Sequence, residues 1–153
     1  MRIIITFCLL IVVNSLSAQK LLPLSSYLSS PRISKTAKNF YKKLPAYNKD
    51  PQVYYNDMNM EKNTSSIMDS VYTKNASNRA FYLYLVNRNL DLADGSLQLL
   101  SVTWQYKLFE TNAALLFRFF ADNPAEKKKY QEKWISGMVG FYGQYAAGKD
   151  PSD

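Results

Sequence analysis

Apolar residues recur along this chain at helical spacing and seldom alternate. The clearest run lies between residues 96 and 121. Leu99, Val102, Tyr106, Phe109, Ala113, Leu116 and Phe120 follow one another there in steps of three and four. A second row, Leu97, Trp104, Leu108, Leu115 and Phe119, lies beside the first. Together the two rows cover more than half of the circumference, which predicts a central helix over about Ser96–Ala121 touched by several neighbours. Lys107, Glu110, Thr111, Ala114 and Arg118 fall on the narrow polar stripe that remains. Asp122, four residues beyond Arg118, is within reach of it for an ion pair.

Start signals place the other elements. Ser30-Pro31, Asp50-Pro51 and Asn123-Pro124 each set a capping side chain before a proline at the first helical position. Glu126 completes an Asn-x-x-Glu capping box. A helix is expected over Pro31–Leu44, with Ile33, Ala37, Phe40 and Leu44 on one face and Pro45 as its end. A short helix comes next over Pro51–Met58, with Val53, Tyr54 and Met58 as apolar positions, and Asn59–Asn63 reads as a loop. From Thr64 to Leu90 helical stripes flank the polar stretch Lys74–Arg79, and the pattern does not separate one helix from two. Leu90–Gly95 reads as a turn, with Asp94 or Ser96 able to cap the central helix. The last helix runs from Pro124 to about Ala147, with Tyr130, Trp134, Met138, Phe141 and Tyr145 as its buried stripe. No long alternating run argues for strands. The chain therefore reads as all-α, a single-domain bundle of four or five helices over residues 19–153, with residues 19–30 as an irregular arm.

The first residues have a different pattern. Arg2 precedes an apolar run, Ile3–Val13, and a small or polar stretch ends at Ala18. That is the layout of a bacterial secretory signal peptide over residues 1–18, cleaved after Ala18 or, alternatively, Ser17. The run is too short for a spanning helix, which needs about 20 apolar residues, and no integral membrane segment is expected after its removal. Cys8 sits inside the run, which excludes a lipoprotein acylation site. A secreted or periplasmic protein is the expectation.

Leader removal leaves a chain without Cys or His. No disulfide can staple it, so a hydrophobic core must hold it. Zinc, copper and haem sites lose their usual ligands, and Cys nucleophiles and Ser-His-Asp triads are ruled out. No metal or cofactor is expected. Carboxylates, Lys and Tyr are the remaining catalytic options. Glu110 is the first suspect for a general acid, but no second carboxylate with the spacing of a glycoside hydrolase is visible. No catalytic residue is assigned.

Charge and glycine supply the candidate binding residues. Residues 19–62 hold 8 basic and 3 acidic residues, against 10 and 9 in residues 63–153. Arg32, Lys35, Lys38, Lys42 and Lys43 stand opposite the apolar face of the Pro31–Leu44 helix, which has no acidic residue. They form a candidate contact for an acidic protein, with an ordinary solvated face as the alternative. In the last helix Ser136, Gly140, Gly143 and Ala147 form a row of small residues. Interior glycines cost about 1 kcal/mol each relative to Ala, which predicts a backbone packed close against the row or, alternatively, a groove. Twelve Tyr favour a tyrosine-filled core or an interface. The absence of a recognised module and the export signal argue against nucleic acid. The functional expectation is an exported, non-catalytic protein-binding domain of immunity, inhibitor or envelope-accessory type. The alternatives are a carboxylate hydrolase acting on envelope polysaccharide and a carrier of a small apolar ligand.

Overall fold

The computed structural model describes residues 18–93 and 95–146. Among the described residues there is no strand, and the helices are α1 (Leu24–Ser29), α2 (Lys35–Lys49), α3 (Pro51–Tyr55), α4 (Met60–Asp69), α5 (Ala76–Leu92), α6 (Gly95–Asp122) and α7 (Pro124–Ala146). A 3-10 turn, Ser70–Tyr72, continues α4. The all-α class is as expected. The helices outnumber the expected four or five because the arm carries α1 and the stretch 64–90 falls into two helices, α4 and α5, the first of which begins in the stretch read as a loop at 59–63. No helix among the described residues is long and apolar enough to cross a membrane. Residues 1–17 of the expected leader, Asp94 and residues 147–153, Ala147 among them, lie outside the described residues.

Boundaries shift for local reasons. Ser34, not Ser30, caps α2, its Oγ accepting from the Ala37 N–H at 3.2 Å. Pro45 lies inside α2 rather than at its end. The turn beyond it carries Tyr47, which is buried against Phe40 and Tyr54, with ring centroids 5.9 and 5.1 Å away. Packing of this ring holds the helix past a residue that lacks an N–H. α3 is capped by Asp50, as its sequence indicates, and it buries Tyr54. Met58, expected on its apolar face, is 98% exposed instead. The pattern over 64–90 divides at Asn75, whose Oδ1 accepts from the Asn78 N–H at 2.9 Å and starts α5. The polar stretch 74–79 is thus a cap and first turn, and Asn78 within it is buried.

The central helix is α5, not α6. From Ala80 to Val86 every residue but Tyr84 is buried, and α5 packs against α1, α2, α4, the 3-10 turn, α6 and α7. A helix apolar on all sides is one that neighbours surround. Its buried Asn89 joins two of them, α4 and α6, to α3. It accepts from the Tyr54 hydroxyl and from Thr64 Oγ1, and its Nδ2 donates to Ser101 Oγ at 3.1 Å. Burial pushes the Tyr54 hydroxyl up to about 12.

α6 packs chiefly on α7. Its buried apolar residues are Leu97, Trp104, Leu108, Leu116, Phe119 and Phe120, so most of the core row is the second of the two rows. Leu99 and Phe109 of the expected seam are exposed, because the apolar arc is wider than the neighbours that cover it. The helical backbone is also interrupted at Asn112 (φ −150°, ψ 41°), so one rotational phase does not run its whole length.

Candidate functional site

The basic face forms on α2 as its spacing requires. Ile33, Ala37, Phe40 and Leu44 are buried, while Lys35, Lys42 and Lys43 are exposed and Lys38 is half-buried. Arg32 stands exposed in the turn before the helix, not on it. Lys43 pairs with Asp57 at 2.6 Å, and its hydrogen bond holds the Asp57 carboxyl below the usual range. Among the described residues Arg32, Lys35, Lys38 and Lys42 make no ion pair.

The small row of α7 is not packed against another backbone. Ser136, Gly140 and Gly143 are exposed, and a Cβ added at Gly140 or Gly143 would meet nothing within 4 Å. Ala147, the fourth member, lies outside the described residues. The close approach occurs one residue off the row. A Cβ on Gly137 would stand 2.6 Å from Gln105 Oε1. Ser136 and Gly137 border a hollow of about 330 Å³ shared with Leu90, Ser101, Gln105 and Lys133. Gln105 is buried there, with Nε2 lacking a hydrogen-bond partner.

A second hollow, of about 310 Å³, is apolar. Phe109, Leu116, Phe117, Phe120, Ile135 and Met138 are among its lining residues. Of its lining, Phe117 is 61% exposed and Ile135 46%, and Val139, one turn beyond Ile135 on α7, is 65% exposed. The sequence reading missed this face. Its signal was present in the excess width of the α6 apolar arc, which was assigned to the core.

Polar chemistry gathers between α5 and α7. Glu126 does not turn back to complete a capping box; its two carboxylate oxygens accept from Asn87 and Arg88. Asn123 Oδ1 accepts from the Leu21 N–H, and so serves the arm. Arg88 lies over the rings of Tyr84 and Tyr130 and also donates to the Tyr130 hydroxyl. Tyr130 in turn donates to Asp91 at 2.5 Å, and Lys129 and Lys133 pair with Asp91 at 2.9 and 2.6 Å. Burial alone would raise the Asp91 carboxyl, but the hydrogen bonds from Lys133, Tyr130 and Lys129 outweigh it and hold it low. Burial likewise opposes the charge on Arg88, yet Tyr84, Glu126 and Tyr130 hold its proton more tightly than usual.

The charges of this network are matched to one another, Arg88 to Glu126 and Lys129 and Lys133 to Asp91. Asp91 remains ionised at neutral pH and has no proton to give. Glu110, the first acid suspected from sequence, lies exposed on α6, away from the cluster. Among the described residues no group of three His, Cys, Asp or Glu is placed to hold a metal ion. Arg118 takes the structural role its position suggests, pairing with Asp122 at 2.9 Å. Set beside known proteins, the chain matches no family model, no curated protein and no solved structure.

Proposed function

We propose that this is an exported, non-catalytic protein that acts by protein–protein contact through the apolar face of α6 and α7. The observation that carries the reading is the exposure of Phe117 and Ile135 in the lining of the hollow they share with Phe109, Phe120 and Met138, with Val139 exposed one turn beyond Ile135 on α7. Contiguous exposed apolar surface is unfavourable in water and marks interaction sites, and aromatic anchors dominate the energetics of such contacts. The leader-like first 18 residues support export. An immunity, inhibitor or envelope-accessory role fits a small domain of this kind. The test is a photo-crosslinking residue at position 117 in the native host, with position 61, exposed on α4, as control. A discrete protein adduct is expected at 117 alone, lost when Ile135 and Val139 are both changed to Ser. Equal labelling at both positions would reject the reading.

The basic face of α2 supports a second contact, with an acidic protein. Lys35, Lys38 and Lys42 have no carboxylate partner among the described residues, while the opposite side of the helix is committed to the core. Charge of this kind steers association more than it sets affinity.

A further inference from the structure

Gln19 occupies a built seat. Its N–H donates to Asp122 Oδ2 at 2.7 Å, and its carbonyl accepts from Asn123 Nδ2 at 2.8 Å. The Leu21 N–H donates to Asn123 Oδ1 at 2.9 Å, so two successive residues at the α6–α7 junction hold the incoming chain. Asp122 is held in its turn by Arg118 at 2.9 Å. Gln19 is fully buried, yet neither Nε2 nor Oε1 of its side chain has a hydrogen-bond partner. A buried polar group without a partner costs on the order of 1–3 kcal/mol, so an open glutamine side chain suits this position badly. Ala18, the preceding residue, is exposed and is the small residue after which the leader is read to end.

We propose that Gln19 becomes the first residue of the exported protein and is closed to pyroglutamate, a modification that rests on the export reading above. The α-amine nitrogen attacks the side-chain Cδ. A bond forms between them, the Cδ–Nε2 bond breaks, and Nε2 leaves as ammonia with a proton from the amine. Nothing is oxidised or reduced. The seat suits the lactam better than a free terminus. An α-ammonium brings a charge and three protons to a buried nitrogen that has one acceptor, a carboxylate already paired with Arg118. The lactam nitrogen is neutral and carries a single proton. Closure expels one of the two unpartnered atoms, Nε2, and leaves Oε1 as the carbonyl of a compact ring.

The protein purified from the native host's exported fraction provides the test, by intact mass and N-terminal sequencing. The expected mass is that of residues 19–153 less one ammonia, with the terminus blocked. Pyroglutamyl aminopeptidase should unblock the unfolded chain to leave Lys20 first, while the folded protein resists. A Gln19→Asn variant, which cannot form the five-membered ring, should keep a free amine. A start at Gln19 with full mass and an open amine overturns the lactam and leaves export standing. A leader still attached overturns both. A start at any other residue overturns the lactam, as does release of residue 19 from the folded protein at the rate seen for the unfolded chain.

Discussion

Gly137 and Gln105 are pressed together across the α6–α7 contact: a Cβ on Gly137 would stand 2.6 Å from Gln105 Oε1. Gly140 and Gly143, on the same helix, face open space. The three glycines should therefore respond differently to alanine. Helix propensity favours the change by about 1 kcal/mol at each interior position. Nothing opposes it at the two open sites, so Gly140→Ala and Gly143→Ala should each stabilise the fold by roughly that amount. At Gly137 the buried amide must move, and overpacking of about 1–3 kcal/mol cancels or exceeds the gain. Urea unfolding of the three variants measures this. A Gly137→Ala as stabilised as the other two would show that Gln105 swings freely into the adjoining hollow.

Glu126 and Arg88 are both largely buried and are each other's charge partner. Glu126→Gln leaves the Arg88 cation between two tyrosine rings without its carboxylate. The expected loss is about 3 kcal/mol, near the lower end for breaking a buried pair, since both side chains keep some contact with solvent. Replacing both, as Arg88→Met with Glu126→Leu, should cost less than the sum of the two single changes. Additive losses in a double-mutant cycle would show that the pair is not coupled.

The helical class and many core positions were legible because they depend on local spacing. Ala37, Phe40 and Leu44 are buried as the period of α2 demands, with Ile33 buried in the turn before it, and the Arg118–Asp122 pair is set by its separation of four. The centre of the fold was not legible. α6 has a broad apolar arc, and nothing in its own sequence says that neighbours cover only part of it. The core role of α5 was hidden by Asn78, which is buried, and by Asn87 and Asn89, which read as polar but whose side chains find partners on other helices. Glu126 shows the same effect. Its spacing from Asn123 suits a capping box, but Arg88 and Asn87, more than thirty residues earlier in the chain, take both oxygens. The seat of Gln19 depends on contacts more than one hundred residues apart and left no local signal.

The corrected register of α6 is testable. Leu108 is fully buried and Phe109 is 39% exposed. Leu108→Ala should cost about 2–5 kcal/mol. Phe109→Ala should cost clearly less, although it removes more atoms, because its ring is already partly in water. Denaturant midpoints at equal m-values decide the order. A larger loss at Phe109 would restore the expected seam and overturn the structure of this helix.

For the basic face, Lys35→Glu, Lys38→Glu and Lys42→Glu together reverse the charge of α2 without touching its buried side. If the partner trapped at position 117 is the acidic protein that also meets α2, its association should slow steeply as salt rises in the wild type, and the triple variant should lose that dependence. Far-UV dichroism should stay unchanged. Equal association rates and salt slopes for the two proteins would reduce this face to a solvated surface.

The cluster around Asp91 sets an acid limit to stability. Its carboxyl is held below the ordinary range in the folded protein, as is that of Asp57. A carboxylate lowered on folding binds fewer protons in the native state than in the unfolded chain once pH nears the unfolded value of about 3.9. Its contribution is therefore complete above that value and is lost as pH falls through the folded one. Stability should be level from neutral pH to about 5 and then decline below about pH 4. Asp91→Asn should lower the plateau and flatten the decline, since Lys129 and Lys133 lose their partner at every pH. The plateau change should be modest, because both lysines reach solvent. At the alkaline end the sign reverses. Tyr54, pushed up to about 12, resists ionisation only while folded. Stability should therefore fall as pH rises from about 10, where an unfolded tyrosine begins to ionise, towards that value. Tyr54→Phe should remove its share of that alkaline slope. Thermal midpoints across the pH range, for the wild type and both variants, measure all of this. An acid limb with the same slope in Asp91→Asn and the wild type would place the controlling carboxylate elsewhere.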